Sequence, residues 1–129
     1  MKDEQAAPVE LRARTKEFAL RVVRMFSKLP KTTLAQVIGK QVLRSGTSVG
    51  ANYREAHRAR SDQEFISKMG DCLKELDETS YWLELLSESA VVATHKLSAL
   101  RGECDQLLAI FTTIAKNVKQ REKERKDGG

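Results

Sequence analysis

The sequence predicts an all-α protein, a single domain folded as an antiparallel up-down-up-down four-helix bundle. Three observations predict it. Four stretches repeat apolar residues at three- and four-residue steps, the period of one helical face. Only short breaks separate them, and connections of a few residues make successive helices antiparallel neighbours. No alternating apolar–polar run and no hairpin turn signal points to a sheet.

The first segment spans about Val9 to Leu29, with Leu11, Phe18, Val22, Met25, Phe26 and Leu29 on one face. Pro30 ends it, because the residue before a proline is pushed out of the α region. The second opens at Thr33 with Gln36 three residues on, a capping-box pattern, and runs to about Ala59. Its inner face reads Leu34, Ile38, Gln41, Ser45, Val49, Asn52 and Ala56, beside a stripe of Ala35, Gly39, Gly46, Gly50, Tyr53 and His57. Small residues on that stripe suit close approach of another helix; a kink near Ser45–Gly50 is the other reading.

Ser61-Asp62-Gln63-Glu64 caps the third segment, whose acidic residues also suit the positive end of a helix dipole. Phe65, Met69, Cys72, Leu76, Ser80 and Leu83 make its apolar face. Thr94 caps the fourth, where Leu97, Leu100, Cys104, Leu107, Phe111, Ile114 and Val118 give the most regular heptad of the chain. These boundaries imply a flexible N-terminus over 1–8, a bundle over 9–118, and a frayed charged tail over 119–129 with nothing apolar to bury.

At 129 residues the chain suits one domain. No apolar run approaches the ~20 residues that cross a bilayer, and Met1 to Ala7 resemble no secretion signal. The expectation is a cytoplasmic protein that does not enter membranes. Cys72 and Cys104, both on apolar faces, read as reduced, buried thiols.

Charge is distributed unevenly. The net is +5 overall, yet residues 1–60 carry 13 Lys/Arg against 5 Asp/Glu, while 61–90 carry 2 against 8. Arg14, Arg21, Arg24 and Lys28 form a basic stripe on the first segment and, with Lys116, Lys119 and Arg121, a candidate surface for tracking phosphates. Lys40, Arg44, Arg54 and Arg58 form a second stripe, on the outer face of the second segment. Glu64, Asp71, Glu75, Glu78 and Trp82 form an acidic one on the third. A tryptophan on an acidic outer stripe suggests a partner surface, since that ring buries a large apolar area on contact. The two stripes are expected to meet, within one subunit or between copies. The candidate interface residues are Gly46, Gly50, Tyr53, Arg54, Asp71, Glu75, Glu78 and Trp82.

Chemistry is scarce. Glu75 and Glu78 have the i, i+3 spacing of a bundle metal site, but no histidine follows in register. There is no phosphate-binding glycine loop and no nucleophile–histidine–acid constellation. Four-helix ribonucleases of one type carry an arginine and a histidine with four to six residues between them. Gly50, Ala51 and Asn52 stand there before His57, and Glu88, Ser89 and Ala90 before His95. The chain is therefore expected not to be an enzyme and to need no metal or cofactor.

The stretch Arg44-Ser-Gly-Thr-Ser-Val-Gly-Ala-Asn-Tyr-Arg-Glu-Ala56, then Arg58-Ala-Arg-Ser61, Phe65, Lys68, Leu73-Lys-Glu75 and Glu78-Thr-Ser-Tyr-Trp-Leu-Glu-Leu-Leu86, closely resembles a bacterial four-helix-bundle family. Some of its members are encoded by intervening sequences within 23S ribosomal RNA genes. The resemblance implies an up-down bundle and a homopentameric ring, and so an inter-subunit role for Arg54, Glu75, Glu78 and Trp82. The architecture is also similar to that of the basic accessory proteins of diversity-generating retroelements, which bind nucleic acid and a reverse transcriptase. Two functions follow as expectations. One is a homo-oligomer binding RNA or DNA through Arg14, Arg21, Arg24, Lys28, Lys40, Arg44, Arg58, Lys116, Lys119 and Arg121. The other is a scaffold that docks a partner protein, its charges serving assembly.

Overall fold

The structure, a computed structural model, describes residues 2–128, with side chains from Glu10 onward. Four helices, α1 (Lys2–Ser27), α2 (Thr33–His57), α3 (Asp62–Glu88) and α4 (Thr94–Gly128), make up an all-α four-helix bundle. Helices adjacent in sequence pack together, most extensively α2 on α3. The backbones of the first and last helices approach least among the neighbours, and the diagonal pair α2 and α4 meets through side chains, Tyr53 stacking on Phe111. Each connection is a few residues long, so the helices alternate in direction.

Local chemistry sets the ends. Thr32, one residue before the expected cap, receives the Ala35 N–H on its hydroxyl. Gln36 donates to the Pro30 carbonyl at 2.8 Å, which ties the turn to the new helix. Ser61 caps α3 as expected, accepting from the Glu64 N–H. Ala90 closes α3 in the left-handed region at φ 62°, a conformation that costs a non-glycine residue ~1 kcal/mol.

Both termini depart from expectation. Helix α1 already begins at Lys2, ahead of the expected start at Val9; Met1 lies outside the described residues, as do the side chains of residues 2–9. Residues 119–128, expected to fray, continue α4. Good helix formers fill that stretch, and ion pairs one turn apart brace it: Glu122 meets Arg125 and, at 3.5 Å, Lys126. Arg125 also reaches Asp62 at the start of α3, at 3.7 Å.

The core runs the length of the bundle, and completely buried Phe18 and Phe111 are worth roughly 1.5–3 kcal/mol each. Helix α2 is rotated from the expected face: Ala35, Gly39, Val42, Gly46, Val49 and Tyr53 are buried, whereas Leu34 is 52% exposed. The cause is the glycine stripe, which lets α1 sink onto it. A Cβ at Gly46 would lie 2.8 Å from Val22 Cγ2, and one at Gly39 would lie 2.4 Å from Leu29 Cδ1. With glycines turned toward α1, Leu34 turns outward. The helix is unbroken through Ser45–Gly50. On α3, Thr79 is buried and the expected Ser80 only partly so. The Thr79 and Ser45 hydroxyls meet at 2.8 Å, each also within reach of a carbonyl one turn back.

Candidate nucleic-acid interface

The helices sort the charged residues into engaged and unengaged sets. Arg14 is engaged. Its Nε and Nη2 donate to the two carboxylate oxygens of Glu103 at 2.8 Å each, and Nη2 also reaches Gln106. This fork clasps α1 to α4. Arg14's hydrogen bonds hold the Glu103 carboxyl below its ordinary range, with nearby Arg21 adding to the effect. Arg44 is engaged too: it donates to Glu78 and, at 3.3 Å, to Glu75. The basic stripe of α2 and the acidic stripe of α3 therefore meet within one subunit at this point. In both, a carboxylate competes with any phosphate for the donors; the Arg14 pair is mostly shielded, whereas the Arg44 side chain is half open to water.

Below the Arg14–Glu103 clasp the α1–α4 seam opens into a cleft of about 640 Å³. Arg21, Arg24 and Lys28 line it from α1, and Lys96 from the first turn of α4. Its apolar lining is Met25, Leu29, Val91, Val92, Leu97 and Leu100, with no acidic residue. Arg24 pairs with Glu17 at 3.2 Å, both side chains being more than half exposed, so water weakens that pair. Sequence signals the α1 cations through their i, i+3, i+7 spacing. It hides Lys96, since nothing in the chain tells which face of α4 turns to α1.

The remaining expected ligands lie elsewhere. Lys116 and Lys119 line a shallower groove with Lys123 and Leu73, on the α3 side of α4. They do not extend the α1 stripe, because the heptad that buries Leu107 and Phe111 turns them away from α1. Arg121 sits near Arg60, Arg125 and Tyr53 at the end of the bundle holding the α2–α3 turn. Lys40 on α2 and Arg58 at the cap just past its end are exposed. The single surface expected from α1 and α4 together is thus replaced by one cleft and scattered cations.

The expected interface residues also divide. Gly46, Gly50 and Tyr53 are buried inside the subunit, the glycines under α1 and Tyr53 stacked on Phe111 with centroids 5.6 Å apart. They are unavailable to another copy. Burial pushes the Tyr53 hydroxyl up to about 12. Arg54 and Asp71 stay exposed. Trp82 is partly buried, packed against the core and edge-on to Tyr81 at 5.0 Å. Its Nε1–H is the one buried side-chain polar atom among the described residues that lacks a hydrogen-bond partner. Val37 and Tyr81 are 58% and 52% exposed. With Leu34 they are the large apolar side chains left exposed on the outer faces of α2 and α3, which the sequence reading missed on α2 because it placed Leu34 inside.

Fold and surface together define a helical bundle with a cationic cleft along one seam and large apolar side chains exposed on the outer faces of α2 and α3. Among the described residues no helix is long and apolar enough to cross a membrane, and no three His, Cys, Asp or Glu side chains gather as metal ligands. Residues 9–113 match the model of the family described as 23S rRNA-intervening sequence protein, and the chain belongs to that family. It is similar to a crystal structure of a protein of unknown function from the S23 ribosomal protein family of Bacteroides thetaiotaomicron VPI-5482. The TM-score is 0.79 at 36% identity, over 84% of this chain and 97% of that one. No curated protein matches the chain.

Proposed function

We propose that the protein is a non-catalytic, self-associating module of the cytoplasm that binds nucleic acid by its phosphates. The observation that carries this reading is the α1–α4 cleft, where Arg21, Arg24, Lys28 and Lys96 converge from two helices and no carboxylate lines the walls. Four phosphate contacts to single strands predict a slope of about −3 for log affinity against log salt. Fluorescence anisotropy with labelled oligonucleotides tests it. Reversing Arg21 and Lys28 to Glu should flatten the slope, whereas reversing Lys116 and Lys119 should change it less. Binding that ignores salt, or a double reversal that binds like the parent, refutes the reading.

Self-association is supported by the apolar side chains of Leu34, Val37, Tyr81 and Trp82, with five copies the number that the family resemblance implies. A second reading, a scaffold whose partner is another protein, is favoured by the same exposed apolar side chains, Leu34, Val37 and Tyr81, which lose contact with water on docking. Light scattering with Tyr81→Glu and Trp82→Ala separates the two. A parent of several copies that falls to one supports self-association, and a parent already monomeric supports the scaffold.

A further inference from the structure

We infer that the α1–α4 cleft receives an unstacked nucleobase, so that its ligand is single-stranded nucleic acid with the flanking phosphates on Arg21, Arg24, Lys28 and Lys96. The inference rests on the nucleic-acid reading above and specifies it. Phosphate tracking alone needs only cations on an open surface. This site is instead concave, about 640 Å³ in volume, within the range of small-ligand sites. Its floor is Met25, Leu29, Leu97 and Leu100. A duplex keeps its bases stacked inside and offers such a floor nothing. A single strand offers a flat, weakly polar face and a negative charge on either side.

The cations are placed for that shape. Arg21 and Lys28 stand two helical turns apart on one wall, about 10 Å at 1.5 Å per residue. Lys96 faces them from the other wall, so phosphates on both sides of a bound nucleotide find a donor. Among the cleft residues there is no aromatic ring. The base would lie against guanidinium planes and the Met25 thioether, both of which make favourable contacts with π faces. Every base has such a face, so sequence preference is weak. The cleft is lined only from Arg21 to Pro30 on one side and from Val91 to Leu100 on the other, a length that limits the bound stretch to a few nucleotides.

The test compares three labelled ten-residue ligands at one salt concentration: a single strand, the same strand in a duplex, and an abasic strand with identical phosphates. The single strand should bind at least about five-fold tighter than the abasic one, the low end of what one stacked base contributes, and tighter than the duplex. Ala99→Leu, at an exposed position lining the cleft, should fill the site with a side chain that has no π face and erase that gain while leaving the salt slope unchanged. Ala93→Leu in the preceding turn gives a second filling should the first perturb α4. Equal binding of abasic and natural strands, or of duplex and single strand, overturns the base-receiving site and leaves phosphate binding standing. If no oligonucleotide binds, both fall. A cleft that ignores all three but takes an acidic helical peptide overturns the inference in favour of protein docking.

Discussion

Replacing each helical glycine by alanine should sort the glycines by what stands in front of them. In a helix interior the change gains ~1 kcal/mol from reduced backbone entropy. At Gly70 and Gly102 an added Cβ meets nothing within 4 Å, so both variants should be about 1 kcal/mol more stable. At Gly46 the Cβ would lie 2.8 Å from Val22 Cγ2 and 3.1 Å from Cγ1. Val22 is wholly buried and, being β-branched in a helix, has essentially one rotamer. It cannot swing aside, so α1 must move. Overpacking of this kind costs about 1–3 kcal/mol, leaving Gly46→Ala about 1 kcal/mol less stable than the parent. The spread between Gly46→Ala and Gly102→Ala is then about 2 kcal/mol. Urea denaturation followed by circular dichroism, at matched protein concentration, resolves that difference. The double variant Val22→Ala/Gly46→Ala should be more stable than the two single effects added, because the clash vanishes with the valine methyls. If Gly46→Ala gains as much as Gly102→Ala, α1 does not sit on the glycine stripe and the orientation of α2 derived from it is wrong.

The Arg14–Glu103 clasp should give stability a dependence on acid. The Glu103 carboxyl is held low chiefly by the hydrogen bonds from Arg14, against the opposing pull of burial. A depressed carboxyl contributes stability in full above its unfolded value, about 4.3, and loses it as the pH falls through the lower folded value. Glu103→Gln should therefore cost about 1–2 kcal/mol at pH 7, with the gap to the parent closing below about pH 4. Urea midpoints from pH 3 to 7 read this, and a constant gap over that range counts against it. Burial pushes both Cys72 and Cys104 up to about 12, and their thiols lie 3.7 and 3.4 Å from the carbonyls of Val49 and Leu76. Since the thiolate is the reactive form, a disulfide reagent at pH 8 should find no thiol in the native protein and two after denaturation; rapid native reaction at either position refutes the burial.

The fold was legible because periodicity and punctuation agree. Leucines and aromatics at three- and four-residue steps mark what is buried, and Pro30 and Ser61-Asp62-Gln63-Glu64 mark where the chain turns. The rotation of α2 was not legible from apolar residues, since glycine carries no hydropathy and the most closely packed face of that helix is the one with least side chain. Reading Leu34 as core and the glycines as a surface for another copy was one error with two consequences. Had the glycines been taken as the contact with the preceding helix, Leu34 and Val37 would have emerged on the outside. The helical continuation of the tail was not legible for a different reason: apolar burial is one way to hold a helix, and i, i+3 and i, i+4 ion pairs among good helix formers are another.

The cleft was half legible, and the missing half has a topological cause. Three of the four helix contacts join neighbours in sequence through short turns, so their faces follow from where the turns fall. The α1–α4 contact has no turn. It closes the bundle through whatever faces are left over, and it is the least extensive of the four. A polar fork between Arg14 and Glu103 holds it at one height, and the cations of α1 and Lys96 leave it open at another. Like charges across a seam oppose closure, and the same charges are those on which the proposed phosphate contacts rest. Sites that must admit a ligand are drawn from the weakly held parts of a fold. In this bundle the weakly held part and the acid-free cationic part coincide along the one seam that no turn constrains.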